Sequence, residues 1–136
     1  TIILLSLHRM NVVAAVIEQN EHFLLTCRQK GVHLEGLWEF PGGKINHGET
    51  HAVALRREIH EELGADVEIK NCILTTSHTY QDRAVKLHFY QCRLIGIPKP
   101  MLGQKMRWVQ RQELNNLQFP PADNALIAIL TETEER

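Results

Sequence analysis

The sequence predicts an α/β fold, a sandwich with helices on both faces of a mixed β-sheet. Two observations lead there. Strand-type runs lie on both sides of one long amphipathic helix, and a second, apolar helix closes the chain. No repeat, linker or low-complexity stretch interrupts the pattern, and 136 residues are most simply one domain, able to bury roughly two-thirds of the surface of its unfolded chain.

In order, residues 1–9 are apolar but too short to span a bilayer. They lack the charged start and cleavage site of a secretory signal. Met10 precedes a strand-like run, so 1–9 read as an extension and 10–136 as the domain. Val12–Glu18 and Phe23–Arg28 are β-rich and joined by four polar residues, a hairpin pattern. A polar loop, Gln29–Gly36, leads to a short strand at Leu37–Phe40 and then to the breaker Pro41-Gly42-Gly43. A helix is expected from about Thr50 to Leu63, with Gly64 where a left-handed residue is wanted.

Further strands are expected at Val67–Ile73, Thr75–Tyr80 and Val85–Leu94, with Gln81-Asp82-Arg83 turning between the last two. Gly96–Gln104 reads as a loop, Arg107–Gln110 as a strand and Gln112–Leu114 as a helical turn. After Pro120-Pro121 a final helix, about Ala122 to Thr133, can face the sheet with Leu126, Ile127 and Leu130.

Composition narrows the function. A net charge of −1 gives no general attraction to a nucleic-acid backbone or an anionic membrane, so a free nucleotide fits better than a polymer. Three widely spaced cysteines, with no C-x-x-C, indicate neither a disulfide framework nor a zinc ribbon, and a reduced cytoplasmic setting fits them. His47 and His51 lack a suitably spaced third ligand for zinc.

The chemistry concentrates in the central helix. At about 100° per residue, Glu58, Glu61 and Glu62 fall within roughly a 100° arc, beside an apolar arc of Ala52, Leu55, Ile59 and Leu63. Like charges at these spacings cost only about 0.2–0.5 kcal/mol per pair, so a solvated acidic face is one reading. A set of hard oxygen ligands for Mg²⁺ or Mn²⁺ is the other.

The surrounding spacing decides between them. Gly43, five residues, Glu49, seven residues, then Arg57-Glu58-Ile59-His60-Glu61-Glu62-Leu63-Gly64-Ala65 resembles the Nudix hydrolase signature at each specified polar and glycine position. Only Ala65 departs, standing where a larger aliphatic residue is usual. Gly36–Gly43, Tyr80–Arg83 and Phe119–Asp123 look like MutT-type members of that family, so the resemblance runs from Met10 onward. It implies a Nudix-type α/β/α sandwich and Mg²⁺-dependent hydrolysis of a nucleoside triphosphate to monophosphate and pyrophosphate. Sanitation of 8-oxo-dGTP is the first expectation, and hydrolysis of CTP or dCTP the second. The expected state is a monomer or weak dimer.

The resemblance also implies roles. Glu58, Glu61 and Glu62, with the backbone carbonyl of Gly42, would hold the metal, and Glu58 would orient or deprotonate the attacking water. Glu49 and Arg57 would pair and hold the loop against the helix. Arg28 and Lys44 would meet phosphate oxygens. Phe40, Arg83 and Asp123 complete the expected substrate contacts, with capping of the last helix as the lesser reading of Asp123.

Two departures bear on the substrate. Leu102 stands where MutT-type enzymes generally carry a glutamate, and Asp123 stands where they carry an asparagine that reads the base. An amide donates and accepts, whereas an ionised carboxylate only accepts. The rival from another class is a non-catalytic nucleotide-binding module, which the intact glutamates disfavour. ADP-ribose and dinucleoside polyphosphate hydrolases tend to show a proline or tyrosine at set distances after the box, and this chain does not.

Overall fold

A two-residue turn opens the fold. β1 (His8–Gln19) returns as β2 (His22–Cys27) through Asn20 and Glu21, whose φ angles are 50° and 62°. Gln19 pairs with His22 and Glu18 with Phe23, so the turn has the positive-φ geometry that matches strand twist. The computed structural model describes residues 8–132.

Beyond the turn the two strands part. β2 pairs antiparallel with β3 (Trp38–Glu39) and with β7 (Met106–Gln110). β1 lies between β4 (Gly42–Lys44), antiparallel, and β6 (Arg83–Ile95), parallel, and β6 pairs antiparallel with β5 (Asp66–Thr79). One parallel pair among antiparallel ones makes the sheet mixed, as expected.

Alternation along β1 explains the layers. Val13, Ala15 and Ile17 face the side on which α1 (His51–Leu63) buries Ala54, Leu55, Ile59 and Leu63. Ala14 and Val16 face the other side, where α2 (Asn124–Thr131) buries Leu126, Ile127 and Leu130 beside Phe40 and Phe89. With both faces covered, the central strand reads as a nearly continuous apolar run. α1 starts where Thr50 Oγ1 accepts the Val53 N–H at 3.1 Å. It ends at Gly64, with φ 62° and its N–H donating to the His60 carbonyl at 2.9 Å.

Several boundaries differ from expectation. The expected pair of strands over 67–80 is one strand, β5, with register irregularities between Ile69 and Cys72 and between Cys72 and Leu74. The polar Lys70-Asn71 step breaks the periodicity, but a bulge absorbs it. Gly42 and Gly43, expected only to turn, belong to β4, which no propensity scale would assign. Arg83 begins β6 instead of ending the turn. Arg111–Asn116 and Pro121–Asp123 are 3₁₀ segments, the second leading into α2. Residues 8 and 9 already lie in β1, while residues 1–7 of the expected extension, and residue 133 at the expected end of the last helix, lie outside the described residues.

β6 also carries a buried histidine. His88 is 7% exposed, with Nδ1 at 3.1 Å from Thr75 Oγ1 and Nε2 at 3.3 Å from Asn11 Oδ1. Its ring lies 4.3 Å from that of His51, whose Nδ1 meets the Tyr90 hydroxyl at 2.7 Å. Burial, then the neighbouring His51 and Lys86, hold the His88 pKa below its ordinary value. The folded chain thus prefers neutral His88, while the unfolded chain takes up a proton near pH 6.5. Its contribution is complete above about pH 6.5 and is lost as pH falls toward the folded pKa. Thermal melting between about pH 5 and 7 should therefore slope upward with pH, and less steeply in His88→Gln. An unchanged slope would remove His88 as a cause.

Candidate active site

Arg57 fastens the loop after β4 to the helix. Its Nε donates to Glu49 Oε2 at 2.7 Å, and its Nη2 to Glu49 Oε1 and the Lys44 carbonyl, both at 2.9 Å. Nη1 donates to Glu58 Oε1 at 2.8 Å and lies 3.5 Å from Glu61 Oε2. Only a planar fork can serve so many acceptors at once. These bonds, to Glu49 first and Glu58 second, raise the Arg57 pKa far above its ordinary value. The same fork, together with the Asn46 N–H, lowers that of Glu49. The pairing of Glu49 and Arg57 expected from sequence is thus present, and the Arg57 link to Glu58 adds a positioning function.

Beside this fork the carboxylates crowd. Glu39, Gly42, Glu62, Leu102 and Gln104 line one groove. Burial raises the Glu62 pKa most, followed by its hydrogen bond with Glu58 and the charges of Glu39 and Glu58, and the Gly42 N–H opposes the shift. Glu39 is also raised by burial and by Glu58, and lowered by Arg28, which donates to it at 2.8 Å. Gly43 leaves room for the cluster, since a Cβ there would come within 2.3 Å of Glu58 Oε2.

A crowd of carboxylates that holds protons against their nature is one that a cation would relieve. The donors are all hard oxygens, which suits Mg²⁺ or Mn²⁺ better than zinc. The residues therefore fit a divalent ion. Among the described residues, however, no three acidic, histidine or cysteine side chains already converge on one point. Glu61 lies against Arg57 instead, and its side chain is 54% exposed.

A cavity of about 270 Å³ adjoins the groove, and Arg28, Glu39 and Gly42 border both. Lys44 lines its near side, and Tyr80, Arg83 and Asp123 line it as well. Phe40 lies at its base, 3% exposed, edge-on to Phe23 and Phe89 and stacked at 5.8 Å on Phe119. All five expected substrate residues thus border one hollow. Arg28 is already engaged, with Nε donating to the His33 carbonyl at 2.5 Å and Nη1 on Glu39. Arg83 pairs with Asp82 at 2.9 Å. Asp123 makes no side-chain cap to α2, so the capping alternative falls. It is 4% exposed, and burial pushes its pKa up to about 7, with Glu39 adding and Arg28 opposing.

Leu102 borders the carboxylate groove, as expected for the position of the absent glutamate. Glu39 and His33, by contrast, were not expected at the site. The signal for Glu39 was an acid between Trp38 and Phe40 in a short apolar strand, an anomaly that a structural reading leaves unexplained.

With this geometry in view, the comparisons with known proteins bear on the whole chain. The model of the NUDIX domain matches residues 12–128. The chain belongs to the NUDIX domain family. As a Nudix hydrolase it is 38% identical over 125 residues to an 8-oxo-dGTP diphosphatase of Haemophilus influenzae, covering 89% of this chain and 92% of that one. It is 31% identical over 119 residues to a CTP pyrophosphohydrolase of Escherichia coli, covering 87% and 88%. A solved MutT structure from methicillin-resistant Staphylococcus aureus, described as a Nudix hydrolase, superposes with a TM-score of 0.76 at 33% identity, covering 93% and 98%. Both the family and the mixed α/β fold expected from the sequence hold for this Nudix chain. Among the described residues no helix is long and apolar enough to cross a membrane.

Proposed function

We propose that the chain is a divalent-metal-dependent nucleoside triphosphate pyrophosphohydrolase acting on free nucleotides in the cytoplasm, as a monomer or weak dimer. Water adds across the α–β anhydride, whose P–O bond breaks, and a nucleoside monophosphate and pyrophosphate leave with release of a proton. The observation that carries this reading is that a carboxylate groove and a cavity of about 270 Å³ share Arg28, Glu39 and Gly42 in their linings.

Glu58, Glu61 and Glu62, with Gly42, would hold the cation, Mg²⁺ or in its place Mn²⁺. When bound, it would neutralise phosphate charge and make water a better nucleophile. Glu58, which accepts a hydrogen bond from Arg57 Nη1, would take the proton of that water. Lys44 and Arg28 offer charge to phosphate oxygens, Arg28 on giving up part of its bond to Glu39.

The preferred substrate in this reading is 8-oxo-dGTP, whose removal keeps oxidised guanine out of replicating DNA and so prevents mutation. The relatives of that name support it. A second reading, CTP or dCTP, is favoured by Asp123: its ionised carboxylate accepts from the exocyclic amine of cytosine, and one relative acts on CTP by name. A half-protonated Asp123 would serve guanine too, since the neutral acid both donates and accepts.

The test is kcat/KM over a panel of normal and oxidised (d)NTPs and a nucleoside diphosphate sugar, with Mg²⁺. The expected result is at least about a tenfold preference for 8-oxo-dGTP over dGTP, with turnover abolished by chelator. Preference for a sugar nucleotide, or turnover indifferent to chelator, would overturn the reading.

A further inference from the structure

One hydroxyl in the middle of the sheet stands idle. Thr26, on β2, is 1% exposed, and its Oγ1 is buried without a hydrogen-bond partner. Buried polar groups are nearly always paired, so an orphaned one calls for an explanation. Strand alternation shows which way it faces. Leu24, two residues earlier on β2, belongs to the core beneath α1, and Met106, the β7 partner of Thr26, packs against that core. Thr26 therefore faces the α1 side. Its partner across β3 is Glu39, which faces the same side because residues opposite one another in a ladder share a face. Arg28, two residues further along β2, is the diagonal neighbour of Glu39 and donates to it at 2.8 Å. A single strand thus sets two donors beside one carboxylate, Arg28 engaged and Thr26 not.

We propose that Thr26 is a positioning residue, its hydroxyl taking over the Glu39 carboxylate when Arg28 turns to a phosphate oxygen. The inference rests on the reading of Arg28 as a phosphate contact. Arg28 holds Glu39 through Nη1 and the His33 carbonyl through Nε, so a phosphate that takes this fork withdraws a donor from Glu39. A carboxylate left alone in a half-buried place is costly, and burial already raises the Glu39 pKa, with Arg28 opposing. One charge-assisted hydrogen bond from the neighbouring hydroxyl offsets that cost. The bond is absent from the free protein, so it stabilises only the state in which Arg28 is engaged elsewhere. Thr26 touches neither phosphate nor water, and its contribution falls on binding in ground state and transition state alike, which is to say on KM.

Thr26→Val, which puts a methyl group in place of the hydroxyl, separates this role from a structural one by the sign of two effects. The free variant should melt at the parent's temperature or above it, because the hydroxyl it loses has no partner there. Its KM for the best triphosphate should rise about tenfold, with the loss falling on KM more than on kcat, and its affinity for inorganic pyrophosphate with Mg²⁺, measured by calorimetry, should drop by a similar factor. Thr26→Ser keeps the donor and should stay within about twofold of the parent in both. In a Glu39→Met background, which has no carboxylate to receive the bond, Thr26→Val should change neither value further. Parental KM and pyrophosphate affinity in Thr26→Val, a free variant that melts well below the parent, no recovery in Thr26→Ser, or the same penalty in the Glu39→Met background would each overturn the proposal. A wild type that binds no pyrophosphate would remove Arg28 as a phosphate contact and the proposal with it. A wild type that binds pyrophosphate yet turns over no triphosphate would sink the hydrolase reading alone, and the calorimetry would still decide the role of Thr26.

Discussion

Glu62→Gln is expected to fold as the parent does, to lose about 10²–10³-fold in kcat, and to gain no thermal stability from Mg²⁺. The amide keeps the shape of the carboxyl group and can still accept the Gly42 N–H, so the scaffold has no reason to change. What disappears is the charge. In the metal-free protein that charge is unwelcome: burial, the hydrogen bond with Glu58 and the nearby charge of Glu39 all favour the protonated form of Glu62. Removing it should therefore leave the metal-free melting temperature equal to the parent's or above it. With metal the expected order reverses, because an ion that binds only the folded state stabilises it by mass action, and the proposal makes Glu62 one of its ligands. Melting curves with excess Mg²⁺ and with chelator, alongside kcat, give the four numbers needed. Near-normal kcat, or an undiminished metal shift, would remove Glu62 from the metal site.

Adjacent glycines should fail in opposite ways. At Gly42 an added Cβ would lie 2.0 Å from the Val13 carbonyl oxygen and 2.7 Å from Ala14 Cα. Both belong to the main chain of the central strand, so β4 must leave its register with β1. Gly42→Ala is expected to lose about 3 kcal/mol of stability, read as a denaturant midpoint. At Gly43 the obstructing atoms are the carboxylate of Glu58, the far end of a side chain that can swing away. Gly43→Ala should stay within about 1 kcal/mol of the parent while losing about 10²-fold in kcat, because a displaced Glu58 could not serve the role proposed for it. A Gly43→Ala enzyme with parental kcat would show that Glu58 needs no such position.

The helix and its ends were legible because their information is local. Thr50, the i, i+3 and i+4 carboxylates and Gly64 each act within a turn or two, and all three features stand where expected. The hairpin at Asn20–Glu21 is local in the same sense. What escaped depends on partners far along the chain. β4 is a strand only because β1 accepts its three residues, two of them glycines. Glu39 joins the site because β3 sets it against a helix that begins twelve residues later. His33 sits in a polar loop whose sequence gives no hint that the ring turns inward against Tyr80. Glu61 was legible as an acid on the right face, but its engagement with Arg57 was not, since one fork is contested by three carboxylates.

The loop before β7 closes over the end of α1 through hydrogen bonds that do not involve the side chain of residue 102. Lys99 N–H meets the Leu63 carbonyl at 2.8 Å, and the Met101 N–H and Gln104 Nε2 both meet that of Glu62 at 3.0 Å. Gln104 Oε1 takes the Leu102 N–H at 2.9 Å, and Gln29 takes hold of the Leu102 carbonyl at 2.8 Å. The main chain at 102 is therefore anchored while its side chain, 54% exposed, supports nothing. Such a position behaves as an interchangeable socket. An acid or an aliphatic group can occupy it without disturbing the frame, so a carboxylate can be added at the edge of the groove, or withheld from it, independently of the fold.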